Sequence, residues 1–231
     1  MRIFLYLLLL TILSPISRAD QRISIAYGDH NSPPYVIYDN NKRVVGGHFL
    51  ELAKFLSEEL NVDYRMVFTP RTRLLELLKS GHIDLYCNLN KKWVDEPSEF
   101  DWYPGLFEDV NLLYTNQDKF KDIKKLSEVK ETIGTITGFS YHPQFEKLIS
   151  RVGRYDIKSH ENLIKFLGLK RVGLIIMSKN IAENYMIKHK VNLSPVSSFR
   201  DSFLYQCIVS KKLQLDKNKL FKALDKFKSK M

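Results

Sequence analysis

Two α/β lobes are the fold class this sequence predicts, and three observations predict it. A βαβαβ pattern occupies residues 23–87, and a second begins at residue 132. A final strand and helix after residue 204 are left without a unit of their own. Alternation of strand-like and helix-like periodicities is the mark of a layered α/β protein. No low-complexity linker or long Pro/Gly run separates the two patterns, so short strands must join the lobes.

Residues 23–27 alternate apolar and polar side chains and read as the first strand. Residues 28–35 form a loop fixed by Pro33 and Pro34. Phe49, Leu52, Ala53, Leu56 and Leu60 follow helical spacing, and Asn61 stops that helix. Residues 64–68 give the second strand. Pro70 opens a helix that buries Leu74, Leu75, Leu77 and Leu78 and ends at Gly81. Residues 83–87 are the third strand, so this unit has parallel strands with right-handed crossovers. Residues 91–105 read as irregular, and 111–115 as a strand leaving the unit.

The second unit starts with a strand at 132–137 and a turn at Gly138. Pro143 suits the first turn of a helix with Phe145, Leu148, Ile149 and Val152 inward. A short strand (155–158), a short helix (163–167) and a strong strand (172–177) follow. Ser178 caps the next helix, whose inner face is Ile181, Ala182, Tyr185 and Met186. A strand at 204–210 and a helix marked by Leu220, Leu224 and Phe227 complete the chain and return to the first lobe.

Arg2, the apolar run from Ile3 to Leu13, Pro15 and the small residues Ser17 and Ala19 read as an export signal cleaved near Asp20. The run is too short for a bilayer span of roughly 20 residues. Removing residues 1–19 takes away two arginines and no acid, lowering the formal charge from +10 to +8. An exported protein does not meet the chromosome, so the basic balance does not imply nucleic-acid binding. Lys217, Lys219, Lys222, Lys226, Lys228 and Lys230 read as a solvated helix face. The six histidines are spread singly, without metal-ligand spacing, and no cofactor is implied.

The order of several motifs then resembles a known family. Pro33-Pro34-Tyr35, Asp39, Gly46-Gly47 before Glu51-Leu52-Ala53, the run from Leu78 to Asp84, Phe100-Asp101-Trp102, and Ile133-Gly134-Thr135 leading to Gly138 carry the resemblance. The chain resembles periplasmic solute-binding proteins of the polar-amino-acid type, family 3, as a divergent member. The resemblance implies the type II periplasmic-binding-protein (Venus-flytrap) fold, with two lobes joined by two crossing strands. It also implies a small-molecule solute in the cleft, an inner-membrane transporter or sensor as partner, a monomer, and a periplasmic location. On that reading residues 20–109 and 206–231 form lobe 1 and residues 110–205 form lobe 2, with hinges near 107–110 and 203–206.

The departures from the family matter too. Residues 88–93, where the family's carboxylate-binding arginine falls, contain none, and Ser178 stands where an acid holds the ammonium. Ordinary α-amino acids are therefore expected to bind weakly. The candidate ligand residues are Asp29, His30, Tyr35, Arg73, Asn88, Asn90, Trp93, Ser140, Tyr141 and Ser178. Arg73 is the arginine expected to face the cleft and Arg71 the surface one. Asn88 and Asn90 end a strand at the sheet edge where α/β proteins bind ligands, and Ser140 precedes a helix N-terminus. Trp102 reads as core. The rival readings are a dehydratase-like enzyme on the same fold, which needs Asp29 as a cleft carboxylate of raised pKa, and a scaffold that binds a protein partner without a solute. Cys87 and Cys207 lie on strands that the family's topology makes neighbours, so they are candidates for a disulfide in an oxidising compartment.

Overall fold

The computed structural model describes residues 21–41 and 43–231. The segment read as an export signal lies outside the described residues. The first lobe opens with β1 (Arg22–Tyr27), the small hairpin β2 (Ile37–Tyr38) and β3 (Val44–Gly46), α1 (His48–Leu60) and β4 (Asp63–Phe68). It continues with α2 (Leu74–Ser80) and β5 (Leu85–Leu89). Asn61 ends α1 in the left-handed region, which asparagine tolerates well. The long strand β6 (Phe100–Thr115) then crosses to the second lobe.

That lobe holds β7 (Ile133–Ile136), α3 (Pro143–Val152), β8 (Arg154–Ile157), α4 (His160–Gly168), β9 (Leu174–Ser178) and α5 (Lys179–His189). The strand β10 (Ser194–Ser210) crosses back and α6 (Lys217–Lys228) closes the chain. Pro143 occupies the first turn of α3, and the Ser178 side chain accepts the Ile181 N–H at the start of α5.

One sheet runs through both lobes in the order β4-β1-β5-β10-β6-β9-β7-β8. β1 lies parallel to β4 and β5, and β7 parallel to β8 and β9. β6 and β10 run antiparallel between these two parallel sets and pair with each other from Ser194↔Thr115 to Ser210↔Phe100. Their joined length is the physical link between the lobes.

This pairing corrects two sequence expectations. Residues 100–105 are not irregular but open β6, and β10 begins at Ser194 rather than near 204. Pro104 interrupts one stretch and Pro195 the other, and both are read through by pairing with a long partner strand.

The main core spans the crossing, uniting Leu85, Cys87 and Ile208 with Tyr114, Ile175 and Met177. A second cluster sits under α3, where Phe145, Leu148 and Ile149 meet Ile133, Leu174 and Leu113. No helix among the described residues is long and apolar enough to cross a membrane.

Cys87 and Cys207 are joined in a disulfide between β5 and β10. The bond falls where the register of β10 against β5 shifts, between Gln206 and Ile208. It ties the returning strand to the first lobe across a sequence separation of 120. Closing so long a loop restricts the unfolded chain strongly, by roughly 2–5 kcal/mol. The Cys87→Ala/Cys207→Ala double variant should lose stability of that order, read as a lowered urea midpoint. An unchanged midpoint would show that the bond adds nothing to the paired strands around it.

Candidate functional site

The seam between the lobes is organised by one buried carboxylate. Asp109, on β6, accepts hydrogen bonds on Oδ2 from the Tyr35 hydroxyl (2.6 Å) and from the Ser178 hydroxyl. Its Oδ1 accepts the N–H groups of Val110 (2.8 Å) and Asn180 (3.3 Å). Tyr35 comes from the first lobe, Ser178 and Asn180 from the second. A buried carboxylate is tolerated only when its lone pairs are satisfied, and four donors do that here. Burial, then the Asp109 charge, push the Tyr35 phenol far above its ordinary pKa. The hydroxyl therefore stays a donor at any ordinary pH.

The first loop makes a second contact across the seam. Asn31 Oδ1 accepts the Gly28 N–H, which orients its amide so that Nδ2 donates to the Tyr86 hydroxyl at 3.1 Å. The same Tyr86 hydroxyl meets His30 Nε2 at 3.0 Å. His30 Nδ1 is buried with no hydrogen-bond partner, and the nearest part of Asp29 is 3.8 Å off. From the other lobe His160, at the start of α4, meets the Ser32 hydroxyl at 3.1 Å. The Phe139 ring stands edge-on to both His30 and His160.

Two connected spaces lie beside this seam. An outer groove of about 1350 Å³ runs along the crossing strands, lined by Asn90, Trp93, Tyr141, Asp201 and Phe203 among others. An inner cavity of about 20 Å³ adjoins it, and Trp93 and Ser140 line both. The inner cavity is walled by Trp93, Phe139 and Tyr205 and edged by Asn88, Asn111 and Ser140. Arg71 is the one charged residue lining it. Trp93, Phe203 and Tyr205 pack edge to face, with centroids 4.8–6.3 Å apart.

The Arg71 stem lies against Gly138 of the opposite lobe. A Cβ built on Gly138 would stand 3.2 Å from Arg71 Cγ, and the φ of +77° there also favours glycine.

The sequence candidates divide accordingly. Asn88, Asn90, Trp93, Ser140 and Tyr141 line the two spaces. Asn90 is partly engaged, since its side chain caps a short turn and donates to the Leu204 carbonyl. Tyr35, His30 and Ser178 lie in the seam behind them, held by the bonds above; Ser178 is a hydrogen-bonding cap rather than a lining residue.

Two expectations are corrected. Arg73 is 61% exposed and sits near Glu76, whereas Arg71 is half-buried and faces the inner cavity. The two arginines sit two residues apart in the short 3₁₀ turn Arg71–Arg73 before α2, so they fall on different faces, and the sequence alone does not say which face meets the cavity. Asp29 is 54% exposed, and the neighbouring His30 lowers its pKa. It is not the carboxylate of raised pKa that the enzyme reading requires. Asp201 was missed; burial raises its pKa, and Asn111 donates to it at 3.3 Å. No local signal distinguishes Asp201 from a surface acid. Among the described residues no cluster of His, Cys, Asp and Glu could hold a metal ion.

Similar folds recur among solved structures. An ancestral arginine-binding protein bound to arginine superimposes with a TM-score of 0.73 at 17% identity, covering 91% of this chain and 92% of that one. The chain has the type II periplasmic-binding-protein fold. AbpA, an amino acid ABC transporter substrate-binding protein from Streptococcus pneumoniae bound to L-arginine, matches at 0.72 with 21% identity, over 91% and 88% of the two chains. The arginine-, lysine-, histidine-binding protein ArtJ from Geobacillus stearothermophilus matches at 0.72 with 17% identity, over 90% of each. No family model matches the sequence, and no curated protein matches it by sequence.

The seam of this binding-protein fold carries a pH dependence. Burial, reinforced by His30, drops the His160 pKa from 6.5 to about 3. Burial lowers that of His30 too, despite Asp29 beside it. Both rings stay neutral in the folded protein at pH values where the unfolded chain takes up protons. The histidines' contribution to stability is thus fully present above pH 6.5 and is lost as the pH is lowered, approaching about 1.4 kcal/mol per pH unit for His160 alone. Guanidinium midpoints measured from pH 7.5 to 4.5 should decline. The decline should be shallower in His160→Asn; an identical slope would show that the acid sensitivity lies elsewhere.

Proposed function

We propose that this protein reversibly binds a small polar or aromatic organic solute between its two lobes and presents the closed form to an inner-membrane transporter or sensor. The observation that carries this reading is the inner cavity, whose lining comes from both lobes and from the strands that join them. Lobe 1 would comprise residues 20–109 and 206–231, and lobe 2 residues 110–205. Bending of β6 and β10 near 107–110 and 203–206 would open and close the cleft. The contacts of Tyr35 with Asp109 and of Ser32 with His160 would belong to the closed form.

The neighbours' names, which record binding of arginine, lysine and histidine, support an amino-acid-like solute. The disulfide supports export to the periplasm, since such bonds persist in oxidising compartments.

Intact mass spectrometry of protein purified gently from the cells that make it should find a co-purifying small molecule. Small-angle scattering should show a smaller radius of gyration when that molecule is bound than after it is dialysed away. A radius that does not change at saturation would overturn lobe closure.

The free α-amino acids should bind weakly or not at all. A zwitterion in a dry cleft needs both charges paired, and no acid lines the inner cavity. The missing ammonium partner costs about 1.5–3 kcal/mol, or roughly one to two decades in affinity. A calorimetric panel of the standard amino acids tests this; sub-micromolar affinity for any of them would refute it.

A further inference from the structure

Arg71 is a cation without an anion. It makes no hydrogen bond or ion pair with any described residue, although it is half-buried at the inner cavity. Burial pulls its pKa below the ordinary arginine value, and Tyr86 alone offsets that in part; no carboxylate does. The guanidinium remains charged at any relevant pH.

Four acids line the outer groove, Asp95, Glu108, Asp109 and Asp201, and none of them lines the inner cavity. Asp109 lines the outer groove and is saturated by four donors. Asp201 lines the outer groove as well and meets the inner cavity only through Asn111. A desolvated, unpaired guanidinium is costly unless something brings a negative charge to it.

We propose that the inner cavity is a carboxylate-receiving subsite, with Arg71 as the charge partner, and that the solute is an organic acid carrying no ammonium beside its carboxylate. This inference rests on the solute-binding reading and names the ligand class for that site. A planar carboxylate matches the fork of a guanidinium, which can donate two parallel hydrogen bonds. Asn88 and Asn111 supply amide donors at the same cavity, and Ser140 a hydroxyl.

The cavity of about 20 Å³ has room for about one water-sized group, so in this arrangement it takes a carboxylate oxygen and little more. The body of the ligand must then pass between Trp93 and Ser140, which line both spaces, into the groove of about 1350 Å³. The rings of Trp93, Phe139 and Tyr205 favour a flat or apolar first segment behind the carboxylate. An α-ammonium at that point would face Arg71 and the aromatic walls, with no acid lining the cavity to receive it.

Three probes that share one skeleton separate the charges: 3-phenylpropionate, L-phenylalanine and 3-phenylpropionamide. Their affinities for the full mature protein are measured by titration calorimetry or ligand-observed NMR at pH 7.5, alongside Arg71→Gln and Arg71→Lys. The anion should bind at least tenfold more tightly than either the zwitterion or the amide. Arg71→Gln should bring the anion down to the level of the amide, and Arg71→Lys should retain part of the preference. Thermal midpoints of both variants, compared with the parent protein, separate loss of the site from loss of the fold.

Equal binding of the three probes, tighter binding of phenylalanine, or full anion binding in a folded Arg71→Gln overturns the inference. So does failure of all three to bind. In each of these outcomes solute binding itself stands or falls on the co-purification experiment, which uses none of these probes.

Discussion

The Asp109 carboxylate is the constraint on which the meeting of the two lobes depends. A charge this deeply placed must be met by donors, and this chain draws them from three parts of the fold: Tyr35, the β6 backbone with Val110, and Ser178 with Asn180 at the start of α5. The second lobe cannot move away without stranding that charge or letting water replace the donors. Parting the lobes would exchange these protein hydrogen bonds for bonds to water, an exchange of modest net cost per bond. Lobe closure of the kind proposed needs such a near balance.

The same logic sorts the charges of the cleft. Asp109 is buried and saturated, so it holds the architecture. Asp201 is buried, and that burial raises its pKa against the opposing Asn111 hydrogen bond and the nearby His142 and Lys92. Arg71 is the group left over. Structural charges are satisfied from within, whereas a charge unsatisfied from within at a cavity marks what the cavity has yet to receive. The neutral histidines of the seam fit this division. His30 and His160 each stand edge-on to Phe139, and burial lowers the pKa of both, for His30 despite the nearby Asp29.

Much of the fold was legible in the chain. Phe49, Leu52, Ala53 and Leu56 are buried in α1 as their spacing requires, Pro143 starts α3, and Ser178 caps α5. These features depend on neighbours a few residues away. The site was less legible. Trp93, Ser140 and Asn88 do reach the cavities, because they sit at strand ends or in the loops beside them, where a parallel sheet brings its ligands. Arg71 and Arg73 are exchanged relative to the sequence expectation, because packing against Gly138 of the other lobe, not local spacing, decides which of the two faces inward. Asp201 gave no sign at all, since its burial comes from β6 packing alongside β10.

By itself the sequence determined the succession of strands and helices, the two-lobed α/β class and the places where the chain turns. All of these follow from the periodicity of apolar side chains and from the local backbone preferences of Pro, Gly, Asn and Ser. Only the tertiary structure decided the full lengths of β6 and β10, the meeting of Asp109 with donors from both lobes, and the isolation of Arg71 at its cavity. Those depend on contacts between residues up to about a hundred or more positions apart, such as Tyr35 with Asn180. Strand length there is set by the partner, and the role of a charge by which opposite charges the fold brings within reach.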